Sequence, residues 1–179
     1  QHLLAWDRTG GSVVGEWIAM QLPMTLGPPS ERNAVIAGRF VLEHIAGSGG
    51  MGTVYRAHDR VEGRSVAIKV LHGENRSDAL RLECEAGLLS TLSHPHIVSY
   101  VAHGVAEDGT VYLAMEWLDG EDLATRLSRS PLTVEESLTL LRRVAAALRV
   151  AHASGIVHRD IKPSNLFLVG GNVAQTKLL

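Results

Sequence analysis

Residues 158–165 read His-Arg-Asp-Ile-Lys-Pro-Ser-Asn and place four chemically capable side chains in one short stretch. They are the carboxylate of Asp160, the ammonium of Lys162, the hydroxyl of Ser164 and the carboxamide of Asn165. Together they offer a proton acceptor, a cation and groups able both to donate and to accept. Pro163 removes a backbone donor and restricts Lys162 to extended or turn geometry, so the stretch is not regular helix. An apolar run, Leu166-Phe167-Leu168-Val169, follows directly. The expected form is a rigid loop feeding a short buried strand, with Asp160 and Asn165 at a fixed separation near one pocket. Taken alone, these residues also fit a solvated surface turn. The difference lies in whether the rest of the chain supplies elements that position them.

A second chemical feature lies far upstream. Phe40-Val41-Leu42-Glu43-His44-Ile45 reads as a strand, Gly47-Ser48-Gly49-Gly50-Met51-Gly52 as a glycine-rich turn, and Thr53-Val54-Tyr55-Arg56-Ala57 as a second strand. Strand, glycine turn and strand make a hairpin whose tip can approach phosphate oxygens closely, because glycine lacks a Cβ and exposes its backbone N–H. A G-x-G-x-x-G alone is a weak signal. Its dinucleotide-binding form needs a helix to start in the turn, whereas Thr53-Val54-Tyr55 is β-branched and aromatic, and so strand-like. The Gly-Lys-Ser/Thr ending of a Walker loop is also missing.

After a turn at Glu62-Gly63-Arg64, Ser65-Val66-Ala67-Ile68-Lys69-Val70-Leu71 alternates with period two. Val66, Ile68 and Val70 fall on one face, and Ala67, Lys69 and Leu71 on the other. Both faces are mostly apolar, so Lys69 must either snorkel to solvent or meet an anion. Residues 76–92 have helical spacing, with Leu82, Leu89 and Leu92 on one face, and Glu85 falls within that stripe. A carboxylate aimed at a core wants a cation, and Lys69 is the candidate.

Residues 97–101 and 111–115 add two further strands, which brings the antiparallel sheet to five. His94-Pro95-His96 ends the helix and reads as a packed turn, since no third metal ligand follows nearby. Thr133 and Glu136 form a capping box ahead of a long helix whose stripe runs through Val134, Leu138, Leu141, Val144, Ala145, Leu148 and Ala151 to Gly155. Residues 1–37 show no sustained period and are broken by Gly10-Gly11, Pro23 and Gly27-Pro28-Pro29. The sequence thus divides into an extension at 1–37, a sheet-rich lobe at 38–118 and a helical part at 119–179. Of its 179 residues 45% are apolar, enough for a core, and a net charge of −2 gives no reason to invoke nucleic acid or an anionic membrane. No apolar run approaches the ~20 residues of a spanning helix. The lone Cys84 cannot form an internal disulfide, which points to a reducing, cytoplasmic setting.

In sequence order, Gly-Ser-Gly-Gly-Met-Gly-Thr-Val-Tyr, Val-Ala-Ile-Lys, an in-stripe Glu and His-Arg-Asp-x-x-x-x-Asn resemble the motifs of the protein kinase family over residues 39–179. The glycine-loop wording is similar to that of bacterial members. The resemblance implies an α+β, two-lobe kinase-like fold: a five-stranded antiparallel sheet with one helix, followed by an incomplete helical lobe. It implies that ATP is bound by Ile45, Gly47, Gly49, Gly50, Gly52, Val54, Ala67, Lys69 and Glu85, with Met115, Glu116 and Leu118 in the adenine-binding hinge. It implies that Asp160 accepts or orients a substrate hydroxyl proton, that Lys162 neutralises γ-phosphate charge, and that Asn165 holds Mg2+. Lys162 two residues after Asp160 looks like the serine/threonine class, with protein substrates as partners, and Arg159 looks like a partner for an activation-loop phosphate.

The departure from the family is at Lys177-Leu178-Leu179, where the pattern next places Asp-Phe-Gly. With Gln1 in place of Met, this leads to the expectation of a piece of a longer kinase, inactive and poorly soluble by itself. Two rivals from other classes are a pseudokinase that binds nucleotide to regulate a neighbour, and a small-molecule phosphotransferase of kinase-like fold.

Overall fold

The structure is a computed structural model that describes residues 34–49, 52–71 and 76–179. The Val35–Ile36 strand (β1) opens a sheet continued by β2 (Phe40–Gly49), β3 (Gly52–Asp59), β4 (Arg64–Leu71), β5 (Tyr100–Val105) and β6 (Val111–Glu116). Every pairing in it is antiparallel, and the spatial order is β1-β2-β3-β4-β6-β5. Helix α1 (Arg76–Ser90) crosses between β4 and β5. The sheet therefore has six strands where the sequence pattern predicts five. The extra one is a two-residue edge, too short to show alternation and lying within the segment read as an extension.

Alternation sorts the sheet's side chains as expected. Phe40, Leu42, Ala57, Val66, Ile68, Tyr112 and Ala114 bury one face. Leu113 and Met115 bury the other with Leu82 and Ala86 of α1. The helix stops at Ser90 rather than running to 92, where the Ser90 and Thr91 hydroxyls take the carbonyls of Gly87 and Leu88.

Residues 97–101 do not act as one strand. Ile97 N–H closes a turn to His94 O, and Val98 N–H donates to Leu178 O. Regular pairing with β6 begins only at Tyr100. This apolar run serves two sheets, and no local pattern distinguishes its halves. The second sheet has three short strands in the order β7 (Gly120–Asp122), β8 (Leu166–Val169) and β9 (Thr176–Leu178). Gly120 sits at φ +147°, with no room for a Cβ against the Leu168 carbonyl, so glycine is required where β7 meets β8.

Helix α2 (Leu123–Arg129) is capped by Asp122, and α3 (Val134–Ala153) by the Thr133–Glu136 box. With 20 residues, α3 is about 30 Å long. Its inward face is Leu140, Val144, Ala147 and Leu148, packed with Leu123, Leu166, Leu168 and Val173. Val134, Leu138 and Leu141, assigned to the same stripe from sequence, point outward instead. The helix carries two adjacent apolar stripes, and a period count merges them.

Candidate active site

Strand register lays out the site's upper wall. Two cross-strand rows share the sheet face turned toward α1: His44–Arg56–Ala67–Met115 and Gly47–Val54–Lys69–Leu113. Val54, Lys69, Leu113 and Met115 are all buried. Ile45 is not with them. It pairs with Tyr55, whose neighbours Val54 and Arg56 hold the face of Lys69, so Ile45 stands on the opposite face. A bulge between Ile45 and Gly47 restores the phase by absorbing Ala46.

Gly49 pairs with Gly52, and Ser48 with Thr53, their hydroxyl oxygens 3.1 Å apart. Gly50 lies outside the described residues, as does residue 51. A Cβ on Gly52 would run into the Val70 carbonyl, so β3 and β4 close here only around glycine. Glu85 occupies its turn of α1 between packed Leu82 and Leu89. Its side chain is outside the described residues, and so is the predicted pairing with Lys69.

Where the chain leaves the sheet, Met115 is buried between lobes and Leu118 packs beside it in the same cluster. The Glu116 carboxylate is committed elsewhere: Oε1 accepts from Ser99 N–H at 2.7 Å and from Lys177 Nζ of β9 at 2.5 Å. The Glu116 side chain is therefore engaged within the protein. Neither Ser99 nor Lys177 was foreseen from sequence.

The lower wall is the 158–165 loop. Pro163 begins a 3-10 turn (Pro163–Asn165), Lys162 before it is extended (φ −146°, ψ 161°), and Asn165 N–H closes the turn on Lys162 O at 2.9 Å. Asn165 is fully buried, and its Nδ2 donates to both Asp160 O (2.8 Å) and Asp160 Oδ2 (3.0 Å). Lys162 Nζ meets the same Oδ2 at 2.8 Å. Two of the three predicted catalytic side chains, Lys162 and Asn165, thus converge on the carboxylate of the third, Asp160. The Lys162 bond, more than the Asn165 bond, holds the Asp160 carboxyl below its ordinary pKa against opposing burial, so it is ionised at neutral pH.

His158 supports this loop from within. Its Nδ1 accepts Asp160 N–H at 3.3 Å, which leaves Nε2 to donate to Leu179 O at 2.9 Å. Burial lowers its pKa, favouring this neutral tautomer. Arg159, between the buried His158 and the tethered Asp160, takes a left-handed φ of +63° and is exposed. Leu179 N–H donates to Asn165 O, and Leu179 packs with Met115 and Leu113. The loop is in this way fastened to the same core that backs the sheet's Lys69 face. His94 and His96 form the expected packed turn: His94 accepts His96 N–H, and His96 Nδ1 binds Thr176 O. Among the described residues no cluster of three or more His, Cys, Asp or Glu suits a metal.

Residues 40–179 match the protein kinase domain, and the chain belongs to the protein kinase family. It is similar to the serine/threonine-protein kinase PknA of Mycobacterium tuberculosis, 40% identical over 141 residues covering 74% of this chain and 33% of PknA. It is also similar to the serine/threonine-protein kinase pkn2 of Myxococcus xanthus, 42% identical over 137 residues covering 75% of this chain and 16% of that protein. The solved Mycobacterium tuberculosis PknI kinase domain superposes with a TM-score of 0.71 at 28% identity, covering 82% of this chain and 59% of that one. The chain spans about a third or less of the length of these curated relatives.

Proposed function

We propose that the protein is an ATP-dependent serine/threonine protein kinase. The observation that carries this reading is the convergence of Lys162 and Asn165 on Asp160 Oδ2. The residues present fit magnesium-ATP in their chemistry: Asp160 and Asn165 bring hard oxygen donors of the kind magnesium takes. Bound magnesium-ATP supplies the phosphoryl group. The rest is work for the chain's own residues.

Asp160, ionised at neutral pH, would orient an incoming Ser or Thr hydroxyl and accept its proton as the γ-phosphoryl group passes to that oxygen, its bond to the β–γ bridging oxygen breaks and ADP leaves. Lys162 offsets charge on the transferred group from beside the same carboxylate. Asn165 fixes Asp160 through two hydrogen bonds and offers its amide oxygen to the metal. Lys69, paired with Glu85, would hold the α- and β-phosphates beneath Val54 and Ala67, with Met115, the Glu116 carbonyl and Leu118 along the adenine edge. Gly47, Gly49 and Gly50 would close over the phosphates. On this reading residues 38–118 form the nucleotide lobe, residues 119–179 begin the substrate lobe, and the setting is cytoplasmic. No helix of the described residues is long and apolar enough to cross a membrane.

Lys69→Met in the full-length protein is the test. Stranding the Glu85 carboxylate costs about 3–5 kcal/mol of phosphate-site organisation, so phosphorylation of a Ser/Thr peptide library should be abolished. Near-wild-type phosphotransfer by that variant refutes the assignment. Wild-type activity on an aminoglycoside but not on peptides assigns a small-molecule phosphotransferase instead.

A further inference from the structure

Arg56 stands in the hinge-side row of the sheet, between His44 and Ala67. Its guanidinium carbon lies 5.3 Å from the centre of the Trp117 indole. Its Nε is 3.1 Å from a Glu43 carboxylate oxygen, and one Nη donates to Ser65 Oγ at 3.1 Å. Trp117 is the first residue beyond β6, and its indole N–H donates to Asp119 Oδ1 at 2.8 Å. The His44 ring meets the indole edge-on, with centroids 6.2 Å apart and planes at 80°.

Residues 117–119 belong to neither sheet, and Asp119 O accepts Gly170 N–H at 2.7 Å, which ties the far end of the segment to the second sheet. The indole ties its near end to the first. It is tied to Asp119 within the segment and held against β2 and β3 by His44 and Arg56. Arg56 is itself gripped by Glu43 and Ser65, and a planar guanidinium so fixed loses little further freedom by stacking. We propose that Arg56 and Trp117 form a clamp that sets the height of the hinge beneath the sheet, and with it the slot for the nucleotide base. Arg56 is then a positioning residue for the base end of the nucleotide. This rests on the nucleotide-binding reading above.

Arg56→Met keeps the aliphatic stem and removes the cation. In the intact protein with magnesium, titrations with ATP, ADP, adenosine and tripolyphosphate separate the base end from the phosphate end. The expected result is one common loss of about three- to tenfold for ATP, ADP and adenosine, with tripolyphosphate unchanged. Arg56→Lys, which keeps a cation over the ring, should recover most of that affinity. In a Trp117→Leu background, Arg56→Met should cost little more. An equal loss for tripolyphosphate, no loss for adenosine, or an undiminished loss in the Trp117→Leu background overturns the clamp while leaving nucleotide binding standing. Failure of the wild-type protein to bind either ATP or adenosine overturns both.

Discussion

Replacing Asn165 with alanine removes two hydrogen bonds at once, and the structure gives the size of each. The bond from Nδ2 to Asp160 O, at 2.8 Å, joins neutral groups and is worth ~1 kcal/mol. The bond to Asp160 Oδ2, at 3.0 Å, ends on an ionised carboxylate and is worth ~1.5–3 kcal/mol. Asp160 keeps Lys162 at 2.8 Å and its side chain is 22% exposed, so water restores part of the loss. We therefore expect Asn165→Ala to lower the unfolding free energy by ~2–3 kcal/mol, read by urea denaturation followed through tryptophan fluorescence.

Asn165→Asp sharpens the test because it keeps shape and reverses chemistry. It sets a second carboxylate where an amide now donates at 3.0 Å to Asp160 Oδ2. Two such groups cannot both ionise cheaply, so one carboxyl pKa rises in the folded state. The folded pair then binds a proton that the unfolded chain has already released at pH 7. The variant is least stable at neutral pH and recovers as pH falls through the carboxylate range. Magnesium should stabilise it by mass action, since two carboxylates hold the ion more tightly than a carboxylate and an amide. An Asn165→Asp protein as stable as wild type at pH 7 without magnesium would refute this account of the loop.

Two further outcomes follow from pairs outside the loop. Asp59, fully buried at the end of β3, takes a two-pronged bond from Arg39 (2.8 and 2.6 Å) plus Val61 N–H, and Arg39 above all holds its pKa at about 2. Because that folded value is depressed, about 2 kcal/mol of stability is present above pH ~4 and is lost as pH falls toward 2. Asp59→Asn should flatten acid unfolding across that interval, and an unchanged acid loss would remove Asp59 as its cause. The Glu116–Lys177 pair is 21% and 17% exposed, so screening is partial. Lys177→Met should cost about 1–2 kcal/mol, less than full burial would give because the Glu116 carboxylate keeps Ser99 N–H. The deficit should shrink in 1 M salt, and a deficit independent of salt would point to packing rather than charge.

What was legible in the sequence was what local chemistry dictates. Pro163 sets the backbone of Lys162, a two-residue period fixes the face of Lys69, and the Thr133–Glu136 box starts α3 where it should. The failures are of other kinds. A bulge at Ala46 turns Ile45 away from the face of Val54, and no period announces an extra residue. Residues 97–101 read as one β-branched and aromatic run broken only by Ser99, although two different sheets share them. Strands β7 and β9 have three residues each, too few to carry a pattern. The tie from Glu116 to Lys177 joins residues 61 apart, and each is ordinary in its own neighbourhood.

That last tie belongs to a wider arrangement in which four successive residues between them hold three parts of the site. Thr176 O meets His96 Nδ1, and Lys177 meets Glu116 at the hinge. Leu178 exchanges main-chain bonds with His96 and Val98, just past α1. Leu179 binds His158 through its carbonyl and Asn165 through its N–H. Most of these contacts use backbone atoms, so they constrain geometry whatever side chains the strand carries. The hinge, the segment after α1 and the 158–165 loop are therefore all positioned against one short piece of β-structure, and the first two also bind each other through Ser99 and Glu116. A displacement of that piece would move residue 116 at the end of β6 and the Asp160 carboxylate together. Side chains at the site remain free to be chosen for chemistry, because main-chain hydrogen bonds already hold its parts in register.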